Sequence, residues 1–162
     1  MNSILVRVDN RLVHGQILEA WVPYFRANCI VVLNDDVAGD VFRESVIRMV
    51  VPSEIEVQVH GVEEFAEHFN PGEWSGRRTI VLIRDIRDAL RAFRKGFSFS
   101  RINIGNVHND DGKCCVTASI FLDELDVKAL NELVGSGVTV ELRCIPQDNP
   151  IGFSDAAAKI SL

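Results

Sequence analysis

The stretch from Arg7 to Gln16, RVDNRLVHGQ, constrains the fold and chemistry of this chain more than any other segment. The apolar run Ile4–Val8 predicts a short strand that leads into a charged turn. The turn ends at His14, and apolar residues with helical spacing follow it at once: Ile17, Leu18, Trp21 and Val22. The sequence therefore predicts a strand, a turn and a helix, with His14 at or just before the helix N-terminus.

The residue types in this turn suit phosphate chemistry. A helix N-terminus presents unpaired backbone N–H groups and a partial positive charge, and both attract anions. Arg7 and Arg11 offer forked donors for phosphate oxygens, and Asp9 could orient the imidazole by accepting one of its N–H groups. We therefore expect a phosphate-linked role for His14. The simpler alternative is that His14 only caps the helix or makes an ordinary polar contact.

The same run resembles the active-site signature of enzyme IIB of the bacterial sugar phosphotransferase system, mannose/fructose/sorbose family. In that family the histidine of the pattern R-x-D-x-R-L-x-H-G-Q accepts a phosphoryl group from enzyme IIA and passes it to a sugar in the membrane permease. The resemblance implies that His14 is the catalytic residue of a protein-histidine phosphotransferase. The residues that would bind phosphate or support the loop are Arg7, Asp9, Arg11, Gly15 and Gln16. Asn10 departs from the family, which often has an acidic residue there.

Later segments resemble the same family less specifically, namely VVLNDDVAGD, RINIGNVHNDDG and LNELVGSGVTVELRCIPQD. The resemblance implies enzyme IIA as phosphoryl donor and the IIC/IID permease as the site of the sugar acceptor. It implies no metal and no organic cofactor. It also implies a cytoplasmic protein, peripheral to the inner face of the bacterial membrane when docked. A homodimer is a further expectation, and a regulatory phosphoprotein of the same fold without a transport partner is the main alternative.

Length and composition favour one soluble domain that spans residues 1–162. We expect no signal peptide, and no apolar run approaches the ~20 residues that span a bilayer. The four cysteines lack C-x-x-C spacing, which favours reduced thiols in a cytosol. A net charge of −6 and a pI near 5.2 argue against nucleic-acid binding, for which basic domains are typical.

Strand and helix patterns alternate along most of the chain, which predicts a three-layer α/β/α fold with a mainly parallel open sheet. An antiparallel edge or hairpin is expected in the C-terminal half, because Asp111-Gly112 is a hairpin signal between predicted strands 101–104 and 113–117. A single helix is predicted from about Val37 to Val50. Ligands of such sheets bind beyond the carboxyl ends of the strands.

Three further residues are candidate neighbours of His14 by that rule: Asp35, Asp36 and His108. Asp35 and Asp36, together with Asp9, resemble the Mg²⁺ pocket of a receiver-like domain phosphorylated on aspartate. We favour the simpler interpretation, in which Asp36 caps a helix and Asp35 is solvated. His108 lies in a loop with Asp110 and Asp111, but an Asp-Gly turn needs no metal, so no metal ligand is predicted.

A basic stripe is predicted on one helix face, where Arg87, Arg91 and Arg94 recur at helical spacing. It lies opposite the apolar stripe of Ile86, Leu90 and Phe93. A solvated helix face is the simpler interpretation. The sharper hypothesis is a docking face for an acidic partner, because complementary charge speeds encounter.

Overall fold

The computed structural model describes residues 3–160. Its strands are β1 (Ile4–Asp9), β2 (Cys29–Leu33), β3 (Glu56–His60), β4 (Thr79–Ile83), β5 (Arg101–Asn106), β6 (Cys114–Thr117), β7 (Ile120–Leu122), β8 (Thr139–Leu142) and β9 (Ile151–Gly152). Seven of them form one sheet in the order β3-β2-β4-β1-β5-β8-β9. β1 lies in the middle and pairs in parallel with β4 and β5. The loop that carries His14 therefore begins at the centre of the carboxyl edge.

The helices are α1 (a π-helical turn, Ile17–Trp21, continued by Val22–Phe25), α2 (Asp35–Ala38), α3 (Val41–Val50), α4 (Val62–Glu67), α5 (Ile86–Arg94), α6 (Glu124–Gly135) and α7 (Phe153–Ala157), with a short 3₁₀ turn at Pro71–Trp74. Residues 15–16 already have helical conformation. His14 thus directly precedes the helix, as its sequence context predicts.

Helices cover both faces of the sheet because its strands alternate their apolar side chains between two cores. In β2, Val31 joins the core under α4, α5 and α6, whereas its neighbour Val32 joins the core under α1. Both side chains are fully buried, as expected for a parallel strand covered on both faces. β9 adds an antiparallel edge to β8. The expected three-layer α/β/α class with an antiparallel edge is therefore confirmed.

Two local predictions are wrong. β6 does not return along β5 after the Asp111-Gly112 turn; it pairs with β7 in a separate antiparallel hairpin. The predicted helix from Val37 to Val50 is two helices, because the chain leaves helical conformation at Asp40.

The cap prediction for Asp36 is also wrong. The side chain of Asn34 caps α2 by accepting from the N–H of Val37 at 3.0 Å, and Asp40 caps α3 by accepting from the N–H of Arg43 at 3.1 Å. Asn and Asp are both favoured caps. With three polar residues in a row at the strand end and Asp40 four positions later, pattern alone does not decide which residue caps which helix.

Candidate active site

The His14 loop is held against the end of β5. Asp9, the last residue of β1, is in register with Asn106, the last residue of β5, after a bulge that follows Val8. The N–H of Asn10 donates to the carbonyl of Asn106 at 3.0 Å, and the N–H of Leu12 donates back to the carbonyl of Asp9 at 3.0 Å. These bonds shape a tight turn that begins at a buried carboxylate.

Asp9 is the centre of the hydrogen-bond network in this loop. Its Oδ1 accepts from the backbone N–H of Arg11 at 3.1 Å. Its Oδ2 accepts from Arg7 Nη2 at 3.1 Å, His14 Nε2 at 2.9 Å and Asn106 Nδ2 at 2.9 Å. Burial acts to raise the pKa of Asp9, but the bond from His14, the charge of Arg7 and the Asn106 amide outweigh it and lower the pKa. Asp9 is therefore an ionised acceptor.

The bond to Asp9 assigns the tautomer of His14. An ionised carboxylate can only accept, so Nε2 carries the hydrogen and the neutral ring keeps its lone pair on Nδ1. No acceptor or donor approaches Nδ1 within hydrogen-bonding distance among residues 3–160, and the side chain is 15% exposed. The ring is thus fixed through one nitrogen and available through the other.

Arg7 is a buried structural residue of the site. Its side chain is fully buried, and its terminal N–H groups donate to the Asn103 side chain, to Asp9 and to the carbonyls of Arg143 and Cys144. Its guanidinium also lies 4.7 Å from the ring centroid of Trp21. Burial lowers the pKa of Arg7, although Asp9 opposes this shift. With its four terminal donors engaged, Arg7 supports Asp9 rather than facing solvent.

In contrast to the buried Arg7, Arg11 lies on the outside of the His14 loop. Its side chain is 49% exposed, and Nη2 donates to Gln16 Oε1 at 3.3 Å. The same Gln16 oxygen accepts from Asn106 Nδ2 at 3.2 Å. The backbone N–H groups of Gly15 and Gln16 contact no acceptor in the described part of the chain. A half-exposed guanidinium and two N–H groups without an acceptor in residues 3–160 therefore lie next to His14 in sequence.

Leu12 has a left-handed backbone conformation, with φ at 57°. Residues other than glycine rarely adopt it, and it costs about 1–3 kcal/mol. Its side chain is buried in the core under α1, and this packing offsets the cost. The strained residue lies two positions before His14, where it turns the chain into the helix.

Several residues of this network are not among the predicted site residues. Asn103 and Asn106 are buried polar residues on β5, and Gly105 leaves room for Arg7, because a Cβ there would overlap the guanidinium. Cys144 offers its carbonyl to Arg7 and to Trp21 Nε1. The signal available in the sequence is the strand INIGN, in which two asparagines and a glycine interrupt an apolar pattern.

The other candidate neighbours bond elsewhere. Asp35 accepts from the N–H of Val62 at 2.8 Å and from Arg91 at 2.5 Å, and these bonds lower its pKa. Asp36 lies 3.5 Å from Arg84, and exposed His108 lies 2.9 Å from Asp110. Within residues 3–160, none of the three is hydrogen-bonded to the His14 loop. That part of the chain also contains no group of three or more His, Cys, Asp or Glu side chains placed to hold a metal ion.

The arginines of the basic stripe on α5 are paired with carboxylates of the chain itself. Arg87 pairs with Asp123, Arg91 with Asp35, and Arg94 with Glu132. These pairs join α5 to α2 and α6. The stripe is therefore largely neutralised, which weakens the case for a docking face that recognises acidic partners.

The chain is similar in sequence and in fold to components of the sugar phosphotransferase system. A family profile described as "PTS system sorbose subfamily IIB component" matches residues 3–161. The chain belongs to this IIB family. The fructose-specific EIIB component of Bacillus subtilis (strain 168) is 32% identical over 148 residues, which cover 91% of each chain. The IIBSor domain of the Klebsiella pneumoniae sorbose permease superposes with a TM-score of 0.88 at 30% identity and 98% coverage of both chains.

Some relatives are longer than this chain and contain a region that it does not match. The mannose-specific EIIAB component of Escherichia coli (strain K12) is 28% identical to this IIB component over 156 residues, which are 96% of this chain and 48% of that protein. Among the described residues, no helix of the IIB component is both long and apolar enough to cross a membrane.

Proposed function

We propose that this IIB component is a phosphohistidine carrier, in which His14 accepts a phosphoryl group from enzyme IIA and passes it to a sugar. The observation that carries the proposal is the bond from His14 Nε2 to the buried Asp9. It leaves Nδ1 as the nucleophilic nitrogen of the neutral ring. A neutral imidazole held in one orientation by a fixed carboxylate is well suited to in-line attack on phosphorus.

The first proposed transfer, from the donor histidine to His14, needs no other reactant. A bond forms between Nδ1 of His14 and the phosphorus atom while the bond between that phosphorus and the donor histidine breaks. The donor nitrogen leaves with the electron pair of that bond. The electron density withdrawn from the His14 ring is compensated by Asp9, which accepts the Nε2 proton in a charge-assisted hydrogen bond. In the second transfer the sugar hydroxyl oxygen forms the new bond to phosphorus and its proton is released to water, while Nδ1 of His14 leaves with the electron pair of the N–P bond.

The phosphoryl oxygens need donors, and three groups near His14 can provide them. Arg11 can release its long bond to Gln16 and turn its guanidinium to two oxygens at once. The N–H groups of Gly15 and Gln16 lie at the start of the helix, where the dipole favours anions. Arg7, Asn106 and Asp9 have positioning roles, because they hold the turn and the ring.

The relatives support the proposed partners. A region matched by this chain forms about half of a mannose-specific EIIAB component, which supports enzyme IIA as the donor. A sorbose permease contains a IIBSor domain of the same fold, which supports a IIC/IID permease as the site of sugar phosphorylation. We accordingly place the protein in the bacterial cytoplasm, docked at the inner face of the membrane during the second transfer.

Phosphosite mapping tests the first transfer. The full chain is incubated with phosphoenolpyruvate and the upstream carriers, and the phosphorylated peptide is identified by mass spectrometry. We expect one acid-labile phosphate on His14, which is absent in His14→Ala. The control is His108→Ala, which removes an exposed histidine outside the His14 loop and should retain the phosphate. Phosphorus–nitrogen coupling in NMR spectra should place the phosphate on Nδ1. A base-labile acyl phosphate on Asp35 or Asp36 would refute the proposal in favour of a receiver-like domain.

Sugar uptake separates a transport role from a regulatory one. Cells that lack the chain should fail to phosphorylate one class of sugar, and the wild-type chain, but not His14→Ala, should restore this activity. Normal uptake of every sugar tested, with a phosphorylated His14, would instead assign a regulatory role.

A further inference from the structure

The side chain of Gln16 meets three hydrogen-bond donors through one atom. Gln16 Oε1 lies 3.3 Å from Arg11 Nη2, 3.2 Å from Asn106 Nδ2 and 3.6 Å from Cys144 Sγ. The other polar atom of this amide, Nε2, donates to no acceptor within residues 3–160, yet it is not buried. The amide is thus held at its oxygen, and its N–H groups remain accessible.

The hydrogen-bond network assigns the orientation of the Gln16 amide, starting from Asp9. The ionised carboxylate of Asp9 can only accept, so the group of Asn106 that lies 2.9 Å from Asp9 Oδ2 is its NH₂ group. The same NH₂ group faces Gln16 at 3.2 Å, and the guanidinium of Arg11 can also only donate. The atom of Gln16 that meets both donors is therefore the amide oxygen, and Nε2 is directed away from them.

This orientation does not depend on Arg11. When Arg11 leaves Gln16 for the phosphoryl oxygens in the proposed transfer, Asn106 Nδ2 still donates to Gln16 Oε1. The thiol of Cys144 is a further donor, because it lies 3.6 Å from Gln16 Oε1 and 3.8 Å from Asn106 Oδ1 and both oxygens are acceptors. Asn106 is a buried residue at the end of β5. The Gln16 amide therefore stays anchored to the sheet after Arg11 has turned away.

His14 and Gln16 are held in the same manner. Asp9 Oδ2 accepts from His14 Nε2 and from Asn106 Nδ2, both at 2.9 Å, and Asn106 in turn holds Gln16. Each of the two side chains is thus bound at one end to the buried pair of Asp9 and Asn106. The atom at the other end, Nδ1 of His14 or Nε2 of Gln16, has no partner within residues 3–160 and is not buried. A nucleophilic nitrogen and a free amide donor are therefore presented from the same anchor by residues two positions apart.

We propose that the side chain of Gln16 is a second catalytic residue, which donates an N–H of Nε2 to an oxygen of the phosphoryl group on His14. The inference rests on the proposed phosphocarrier function and adds one donor to Arg11 and the two backbone N–H groups. The equatorial oxygens carry the charge of the transferring group, and a donor that is oriented in advance stabilises this charge without reorganisation. No proton is transferred from Gln16. Asn106 and Cys144 act through Gln16 and are positioning residues.

Two substitutions at Gln16 test the donor role. Glutamate keeps an oxygen for Asn106 and Arg11, but its second oxygen replaces the NH₂ group and repels the phosphoryl group. We expect Gln16→Glu to keep about the wild-type urea midpoint, because a helix start favours a carboxylate. Its transfer from phosphorylated enzyme IIA should be about 10- to 100-fold slower, as for the loss of one charge-assisted bond. Gln16→Met, which lacks both polar atoms, should also be slow. The control Gln147→Glu adds the same charge at an exposed residue after β8 and should transfer at the wild-type rate.

The two variants together exclude simpler roles of Gln16. If Gln16 only supports the loop through its oxygen, Gln16→Glu transfers at the wild-type rate and Gln16→Met is slow. If Gln16 only retains Arg11, Gln16→Met releases that side chain and transfers at least as fast as wild type. Either result would overturn the inference, and phosphorylation of His14 in the same proteins would leave the proposed function standing. A wild-type chain without phosphate on His14 would overturn both.

NMR of the nitrogen-labelled wild-type chain tests the contact without a substitution. The Nε2 amide resonances of Gln16, assigned by their absence from Gln16→Met, should shift when His14 is phosphorylated, because a charged oxygen becomes their acceptor. The side-chain amide resonances of the exposed Gln147 are the reference and should stay in place. Unchanged Gln16 resonances in a phosphorylated chain would show that Nε2 does not contact the phosphoryl group.

Discussion

The imidazole of His14 and the carboxylate of Asp9 are joined by a 2.9 Å hydrogen bond between Nε2 and Oδ2, and the same oxygen accepts from Arg7 at 3.1 Å. The proposed nucleophile is therefore oriented by one end of a buried ion pair. Its geometry therefore depends on the interior of the sheet, while Nδ1 makes no hydrogen bond within residues 3–160.

Replacing His14 by Ala should abolish phosphate acceptance and leave the fold intact. The residue lies in a turn, and its imidazole is not part of either apolar core. Its removal takes one hydrogen bond from the buried Asp9, which keeps its bonds to Arg7, Asn106 and the Arg11 N–H, so we expect the free energy of unfolding to fall by only about 1 kcal/mol. Urea titration measures the stability, and phosphosite mapping measures whether the variant accepts phosphate. Phosphate uptake at the wild-type level would contradict the central role of His14.

Replacing Asp9 by Asn should impair both stability and transfer. The change leaves the buried guanidinium of Arg7 without a counter-charge, and removing one partner of a buried ion pair costs about 3–5 kcal/mol. Transfer should fall because the ring of His14 loses its charged acceptor. Asp36→Asn, at an exposed position on α2, is the control and should change neither quantity. Equal urea midpoints for Asp9→Asn and wild type would show that the pair does not stabilise the fold.

Asp9 should also contribute to acid sensitivity. Its pKa is lower in the folded chain than the ordinary value of ~3.9, so the unfolded chain takes up its proton first as the pH falls. The stabilisation from Asp9 is therefore complete above about pH 5 and is lost as the pH falls through the folded-state pKa. Urea titrations between about pH 3 and 7 should show a steeper loss for wild type than for Asp9→Asn. If the free energy of unfolding falls with pH equally in wild type and Asp9→Asn, Asp9 does not contribute to the acid sensitivity.

Arg11→Lys should slow phosphoryl transfer without changing stability. Lysine keeps the positive charge but loses the planar fork that can engage two phosphoryl oxygens. A loss of about 1–3 kcal/mol for one charge-assisted contact corresponds to roughly 5- to 150-fold in rate. Asn10→Asp, one residue earlier, should barely matter, because the family often has an acid there. Rapid-quench measurement of transfer from phosphorylated enzyme IIA compares wild type, Arg11→Lys and Asn10→Asp. Equal rates for wild type and Arg11→Lys would show that Arg11 does not contact the phosphoryl group.

Gly105→Ala should destabilise the fold, because the added Cβ would overlap the Arg7 guanidinium. Overpacking of this kind typically costs about 1–3 kcal/mol, and here it also displaces the ion pair with Asp9. Gly135→Ala is a matched control within α6, where an added Cβ meets nothing within 4 Å; it should be neutral or stabilising by up to ~1 kcal/mol. Relative to wild type, the urea midpoint should fall for Gly105→Ala and should stay the same or rise for Gly135→Ala. Equal midpoints for the two variants would contradict the clash with Arg7.

Part of the site follows from local sequence. The strand before Asp9, the turn and the helix after His14 are all close in the chain, so short-range pattern and capping chemistry predict them. The Asp123 cap of α6 is equally local, because its side chain accepts from the N–H of Asp126 three residues later at 2.8 Å. The division of residues 35–50 into two helices is not predicted, because Asn34, Asp36 and Asp40 compete as caps and packing selects between them.

The sequence by itself determined the α/β class, the His14 turn and the family, because hydrophobic periodicity and a ten-residue motif are local properties of the chain. Tertiary structure alone decided the roles of the two arginines. Arg7 and Arg11 look equivalent in the motif, yet the strand order places β5 and β8 beside Arg7 and buries it among Asn103, Asp9 and two backbone carbonyls. Arg11 lies beyond the sheet edge and stays 49% exposed, with only a 3.3 Å bond to Gln16 and a 3.9 Å ion pair with Asp9 among residues 3–160.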